Sequence, residues 1–355
     1  MTLVLRRSFL LAVFLLPAAI APAQDWATKE TCTVDLPEVH EEALEPPGFA
    51  AIETGAADIA NAAGRFWKVT APNGAVSHLW GTMRSSHPMI LDLPRQVRDT
   101  INRARTVAIE VDETAESREE HRAAIHFEGY YSDASDPFAS DGPGDGTIAG
   151  LPLQVSDWIR DRALYTGWSE DAEIVLSPAG LAAMLRSDPC EDFSRRAFPM
   201  QDNYIHLLGT LAGADILALE KPGDFLADLE GRDETAEAII AVRAARLHPV
   251  ADNRKRSTLL ALYLQGRTGI IRSWQSVQLQ NVLGQRGMDA LRIADDFMVT
   301  FRNRRFLDKL AREWPKGEVL VAVDAGQIPG ETGLVRMFRD AGLTVQRIHL
   351  AGEAP

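Results

Sequence analysis

The sequence predicts an α/β fold: a central mixed sheet that gathers a site at its strand ends, with a largely helical middle. Three observations carry this. Phe66 to Trp80 alternates apolar and polar residues on both sides of Asn73-Gly74. That pair is a hairpin signal, because both residues tolerate positive φ. Glu318 to Val323 reads EVLVAV, and Thr106 to Val111 reads TVAIEV, each a short apolar run of strand length. Between them, from Asp233 to Trp314, apolar residues recur at helical spacing.

In chain order, residues 1–23 read as a secretory signal peptide. Arg6 and Arg7 precede the apolar run Ser8 to Ile20, and Ala21-Pro22-Ala23 offers a small-residue cleavage site. The competing reading is a membrane anchor. The run is shorter than the ~20 apolar residues a span needs and contains Pro17, which favours cleavage. The expected location is therefore exported, periplasmic or secreted, with no membrane span after cleavage. The formal charge is −13, and loss of the two arginines makes it −15. Such an acidic chain repels nucleic acid and anionic lipid. A hydrophobic content of 46% supports a packed core.

Residues 24–65 form an expected N-terminal strap. Prolines at 37, 46 and 47 mark a loop with a short helix near Cys32, and Ala56 to Ala63 is expected to be a helix entering the hairpin. Past the hairpin, Gly81-Thr82-Met83-Arg84 is expected to break the strand, letting backbone amides and side chains converge on a ligand. Leu93-Pro94 opens a helix with Val97, Ile101 and Ala104 on its buried face. The strand Thr106 to Val111 delivers Glu110 near its end. This is either an ordinary rim carboxylate or a ligand at the carboxyl edge of the sheet.

Glu113 to Ile125 is charged and reads as a solvated helix. Ser132 to Gly146 reads as a mobile loop, and its four aspartates lack EF-hand spacing. Leu151 to Tyr165 is amphipathic. Ser177-Pro178 starts a helix that stops before Pro189. Asp202 to Ala212 is another helix, and Ile216 to Leu219 is a strand closing in Glu220. Helical faces follow at Ile239, Val242 and Ala245, at Leu259, Leu262 and Tyr263, and at Leu291, Ala294, Met298 and Phe301, before Arg302-Asn303. The strand EVLVAV runs into Asp324-Ala325-Gly326-Gln327. A helix Thr332 to Ala341 and a strand Leu343 to His349 close the chain.

The order of these segments resembles the TraB/GumN family, which is related to the TIKI-type metal-dependent proteases. The resemblance spans residues 66–355 and implies a ChaN/TIKI-like fold. The family carries G-T-x-H after its hairpin. Gly81, Thr82 and Met83 match, and Arg84 stands where the histidine would be. It carries G-x-G-H-x-x-G after its last long strand. Gly326, Pro329 and Gly330 match, Asp324 replaces the first glycine, and Gln327 replaces the histidine. Glu110 with Asp112 is similar to a strand-end E-x-D, Glu220 to an L-E-T segment, and Arg302-Asn303 to an R-N pair. The two turns suggest weak internal symmetry, one per half. The resemblance implies a divalent metal held between the two turns and strand-end glutamates in related enzymes, where it activates water and polarises a carbonyl. Cys32 and Cys190 are the two cysteines. In an exported chain an even count suggests a disulfide, with two separate buried thiols as the competing reading. Asp188-Pro189-Cys190-Glu191 also fits the family's cysteine context.

Both expected imidazoles are missing. A guanidinium cannot ligate a cation, an amide is a weak ligand, and two carboxylates alone make a poor transition-metal site. The expectation is that Arg84 takes the cation's place and pairs with Glu110, Glu220 or both. His87 lies three residues on and could redirect into the site, although a polar loop residue before Pro88 is the ordinary reading. His78 points to solvent or pairs across the hairpin. His121 and His126 miss i,i+4 spacing, and His206, His248 and His349 look isolated. There is no G-x-S-x-G elbow, P-loop, dinucleotide fingerprint or basic aromatic patch.

Two functions follow as expectations. One is a catalytically silent, exported relative of metal-dependent peptidases. It needs no cofactor and binds a peptide or envelope protein in the old cleft. The other is an active hydrolase with a rearranged metal or acid/base site, using His87 or a retained glutamate as base.

Overall fold

The computed structural model describes residues 32–112, 148–165, 172–186, 200–221, 223–245 and 253–354. Residues 1–23, the charged segment 113–125 with His121, His126, the aspartate-rich segment 132–146, Pro189, Cys190 and His248 lie outside the described residues.

Six strands form one mixed sheet: β1 Phe66–Thr70, β2 Val76–Thr82, β3 Thr106–Val111, β4 Asp215–Glu220, β5 Val319–Asp324 and β6 Thr344–Arg347. Their order is β4-β3-β5-β2-β1-β6. β4, β3, β5 and β2 run parallel, and β1 and β6 add an antiparallel edge. Alternation along β5 shows why this is a three-layer fold. Val319, Val321 and Val323 pack with Phe306, Leu310 and Phe338 on one face. Leu320 and Ala322 pack with Trp80, Val97, Val107 and Ile205 on the other. A strand buried on both faces carries an unbroken apolar run, which is the signature of EVLVAV.

The β1–β2 hairpin forms as expected, with one difference in its turn. Only Gly74 takes positive φ, at +87°. Pro72 fixes the first turn position, Asn73 Oδ1 accepts from the Ala75 amide at 3.1 Å, and Ala71 N donates to Ala75 O at 2.9 Å. Proline therefore sets a five-residue turn in place of a two-residue one.

The expected strand break at Gly81 is a correction. Gly81 and Thr82 lie inside β2, paired with Val323 and Asp324 of β5. The glycine serves close approach instead. A Cβ there would stand 2.7 Å from Ile328 Cδ1 and 3.2 Å from Ala325 Cα. The helix expected at 56–63 is also displaced: it spans Phe49–Ala57 and follows a 3-10 turn at Glu41–Leu44. Leu44 and Ile52 pack on Leu262, Ile270 and Trp274, which holds the strap against the helical layer.

That layer comprises the helices Leu153–Tyr165, Ala172–Val175, Pro178–Met184, Asp224–Leu229, Asp233–Ala244, Asn253–Leu264 and Thr268–Asp295. Ser177 caps the third of these, accepting from Gly180 N at 2.9 Å, with Pro178 at N1. Much of the layer shares a separate core that includes Trp158, Ile159, Ile239 and Phe297. The long helix Thr268–Asp295 is interrupted at Gly284, where φ is 59° and ψ is −144°. A wide π-helical turn, Asp296–Phe301, then leads into the helix Arg302–Leu310. Among the described residues no helix is long and apolar enough to cross a membrane.

Candidate functional site

Because four strands run parallel, their carboxyl ends meet at one edge of the sheet, where open α/β sheets place ligands. Thr82, Val111, Glu220 and Asp324 end β2, β3, β4 and β5 there. The chain runs from the π-helical turn straight into Arg302, whose side chain comes under this edge.

Arg302 forks onto both glutamates. Its Nε donates to Glu220 Oε1 at 2.8 Å, and its Nη2 donates to Glu220 Oε2 at 2.6 Å and to Glu110 Oε2 at 2.9 Å. The fourth carboxylate oxygen, Glu110 Oε1, accepts from the Asp324 amide at 2.9 Å. Arg302 is 5% exposed and Glu220 6%. Burial alone would raise the Glu110 carboxyl. Arg302, the Asp324 amide and Arg84 outweigh it and hold the group below its usual value. Burial likewise opposes the charge on Arg302, but the two glutamates overcome it and raise its pKa.

This corrects the expectation for Arg84. The cation between Glu110 and Glu220 is Arg302. β3 and β4 are neighbours, and the helix Arg302–Leu310 packs against β4. Arg84 follows β2, which β5 separates from β3. Arg84 lines the cleft and adds to the positive field on Glu110.

Gln327 is buried, and its Nε2 donates to the Met298 carbonyl at 2.9 Å in the π-helical turn. Asn303 is fully buried and staples the loop that carries Gln327. Its Nδ2 donates to Gln327 O at 3.1 Å and to Thr332 O at 2.9 Å. Arg302-Asn303 is thus a buried pair in which arginine holds the strand ends and asparagine holds the Asp324–Gly330 turn. Gly326 contributes its amide, which donates to Asp324 Oδ1 at 2.8 Å. Gly81 contributes its carbonyl, which accepts from the Tyr263 hydroxyl at 2.8 Å.

His87 does not turn into the site. Its Nδ1 accepts from Met89 N at 3.2 Å, and its Nε2 meets Val34 O at 2.5 Å. Nε2 therefore carries the proton, and both ring nitrogens are committed to capping a short helix and tying down the strap. His78 stacks on Phe66 at 5.3 Å across the hairpin, and burial pushes it down to about 4. His206 is not isolated: Nε2 stands 3.7 Å from Asp112 Oδ1. His349 is exposed.

Several site residues escape the sequence reading. Gln201 braces the loop after β2. Its Oε1 accepts from Met83 N at 3.0 Å and from the Tyr263 hydroxyl at 2.9 Å, and its Nε2 reaches Ile90 O. Asp202, next in the same helix, is pushed up to about 6 by burial, against the pull of Arg84 and Thr82. Asp324 is raised by burial and by Glu110, against the Gly326 amide, Arg84 and Arg243. Arg186 and Arg243 come from the helical layer. Arg243 does leave a sequence signal, since it interrupts the apolar run Ala238 to Ala245.

Arg186, Arg243, Tyr263 and Asp324 are among the residues that line a cleft of about 320 Å³ between the strand ends and the helical layer. Arg84, Glu110, Arg302 and Asp324 line one side, and Leu259, Ile271 and Met298 contribute apolar surface. A hollow of about 500 Å³ near Arg232 and Phe297 is roomier, but no strand-end residue lines it. The residues at the edge do not fit a divalent metal. All four glutamate oxygens already accept from N–H donors, Arg84 cannot ligate, and the amide of Gln327 is anchored to Met298. Among the described residues no cluster of three or more His, Cys, Asp or Glu side chains is arranged to hold one.

Comparison with curated proteins and with solved structures returned no match. A family model described as the TraB/PrgY/gumN family matches residues 65–347.

Proposed function

Since this chain belongs to the TraB/PrgY/gumN family, we propose that it is an exported, catalytically silent member that binds a peptide or an envelope protein in the strand-end cleft. One observation carries the reading. The two strand-end carboxylates offer no oxygen that is not already taken, because Arg302 and the Asp324 amide occupy all four. A metal ion on those oxygens would stand against a buried, doubly paired guanidinium, and that like-charge contact is strongly unfavourable. Export belongs to the proposal and rests on residues 1–23. So does a Cys32–Cys190 bridge, which is supported by the lack of any free cysteine among the described residues.

The test is metal content of the purified mature protein, made without a histidine tag, after incubation with zinc, manganese and cobalt. The silent reading expects less than about a tenth of a metal per chain. Close to one metal per chain overturns it.

A second reading, an active hydrolase with an acid/base site, draws on Asp202. Burial pushes its carboxyl up to about 6 while Arg302 and the Asp324 amide keep Glu110 ionised. Two carboxyls whose environments push them apart suit an acid and a base. This reading expects peptidase or esterase activity that Glu110→Ala abolishes. Activity equal to background in the unmodified protein removes it.

A further inference from the structure

We infer that the hollow of about 500 Å³ beside the π-helical turn is a second binding site, in which Arg232, Arg292 and Arg304 hold a dianionic phosphoryl group. The inference does not depend on what the strand-end cleft binds. Met298 and Val299 of the π-helical turn line the cleft, whereas Phe297, Thr300 and Phe301 line the hollow, so one turn separates the two.

The chain as a whole is acidic, with 37 basic and 50 acidic residues. The hollow reverses that balance. Its three arginines face only two carboxylates among the residues that line it, Asp295 and Asp296. Asp295 pairs with Arg272 at 2.5 Å. That leaves Asp296 to answer three guanidinium groups, an excess of two positive charges. A phosphate monoester carries about 1.5–2 negative charges near neutral pH, where a carboxylate carries one. The phosphoryl group is therefore the better match.

Exposed arginines are ordinarily just solvated. Their arrangement sets these apart. Arg292, Asp296, Thr300 and Arg304 recur every four residues. In an unbroken α-helix, twelve residues run about a third of a turn past three full turns. The wide turn Asp296–Phe301 takes up an extra residue and removes most of that drift. It thus keeps Arg292 and Arg304 along one face, where both line the hollow. Neither has an ion-pair or hydrogen-bond partner among the described residues.

Arg232 comes from a different element, at the start of the helix Asp233–Ala244. Its guanidinium lies 5.2 Å from the Phe301 ring centroid and 6.0 Å from that of Phe297. Those two rings stack on each other at 5.6 Å, and Phe297 is buried. Arg232 therefore rests on a fixed aromatic floor, while its N–H donors lie in the guanidinium plane and stay suited to a tetrahedral oxyanion. The volume also leaves room for a group larger than phosphate alone.

The experiment is calorimetric titration of the purified protein with inorganic phosphate at pH 7.5 and fixed ionic strength. Beside it runs sedimentation with phosphatidylcholine vesicles that carry phosphatidic acid. The two probes share the phosphoryl chemistry, one free in solution and one as a lipid headgroup. The site expects saturable binding of at least one. Phosphate binding alone assigns a soluble ligand, and vesicle binding alone assigns a membrane surface. Arg292→Gln with Arg304→Gln should weaken the binding about tenfold or more. Both side chains are exposed, so the ligand-free Tm should not move. Arg95→Gln with Arg98→Gln removes the same charge from another exposed helix face and should leave binding as it was. Absence of saturable binding to either probe overturns the inference. So does binding that survives in the Arg292 and Arg304 variant, or that falls equally in the Arg95 and Arg98 variant.

Discussion

Arg302 ties two strands and a helix together through one guanidinium, and its removal leaves two buried carboxylates facing each other. Arg302→Met should cost about 3–5 kcal/mol, read from urea unfolding. Adding Glu110→Gln and Glu220→Gln should recover much of that loss, because the cost comes from uncompensated charge. Failure of the triple variant to recover would show that Arg302 matters mainly through packing. Asp202 makes the second residue-scale prediction. Its carboxyl is raised from an ordinary 3.8 to about 6, so folding favours the protonated form. That contribution is complete below about pH 3.8 and is lost as pH rises through about 6. Asp202→Asn should therefore stabilise the protein at pH 7.5 by ~1–3 kcal/mol relative to the parent, with the gain vanishing below pH 4. A gain that is equal at both pH values would disprove the assignment.

Elements place these residues by close approach. β2 can lie beside the Ala325–Gln327 turn only because Gly81 lacks a Cβ. Gly81→Val should destabilise by ~1–3 kcal/mol through overpacking against Ile328 and Ala325. A thermal melt indistinguishable from the parent would show that the turn yields freely. The π-helical turn Asp296–Phe301 has its own part: it supplies the Met298 carbonyl that anchors Gln327 and immediately precedes Arg302. Wide turns of this kind concentrate near functional sites. Helical spacing at Leu291, Ala294, Met298 and Phe301 gives no hint of it, since an extra residue in one turn barely disturbs the period.

At the scale of the molecule, a parallel four-strand block and a helical layer with its own core enclose one charged cleft. The N-terminal strap lies on that layer, with the Glu38 amide on Ser257 Oγ at 2.8 Å and the His40 amide on Thr258 Oγ1 at 2.9 Å. A bridge from Cys32 to Cys190 would add a long-range tie. Cys32→Ser with Cys190→Ser should then lower stability by up to about 4–5 kcal/mol. Titration of the denatured, unreduced protein should find no thiol, whereas two thiols per chain would show that no bridge forms.

The strands, the hairpin, the helix starts at Ser177-Pro178 and Pro94, and the strand-end placement of Glu110 and Glu220 were legible in the sequence. Each depends on local chemistry: apolar period, glycine and proline geometry, and the capping preferences of serine. The position of Gly326 and Gln327 beside Gly81 and Arg84 was legible only as two turns in separate halves. The sheet makes them neighbours by pairing β2 with β5. Which arginine meets the glutamates was a matter of tertiary structure alone. Strand order sets β3 next to β4 and puts β5 between β3 and β2, so the helix after the π-helical turn delivers Arg302 there. Charge in the cleft was decided the same way. Arg186 and Arg243 lie far along the chain from Arg84, and their shared field exists only once the helical layer closes over the strand ends. Electrostatic energy depends on distance in space, which a sequence records only where the fold is local.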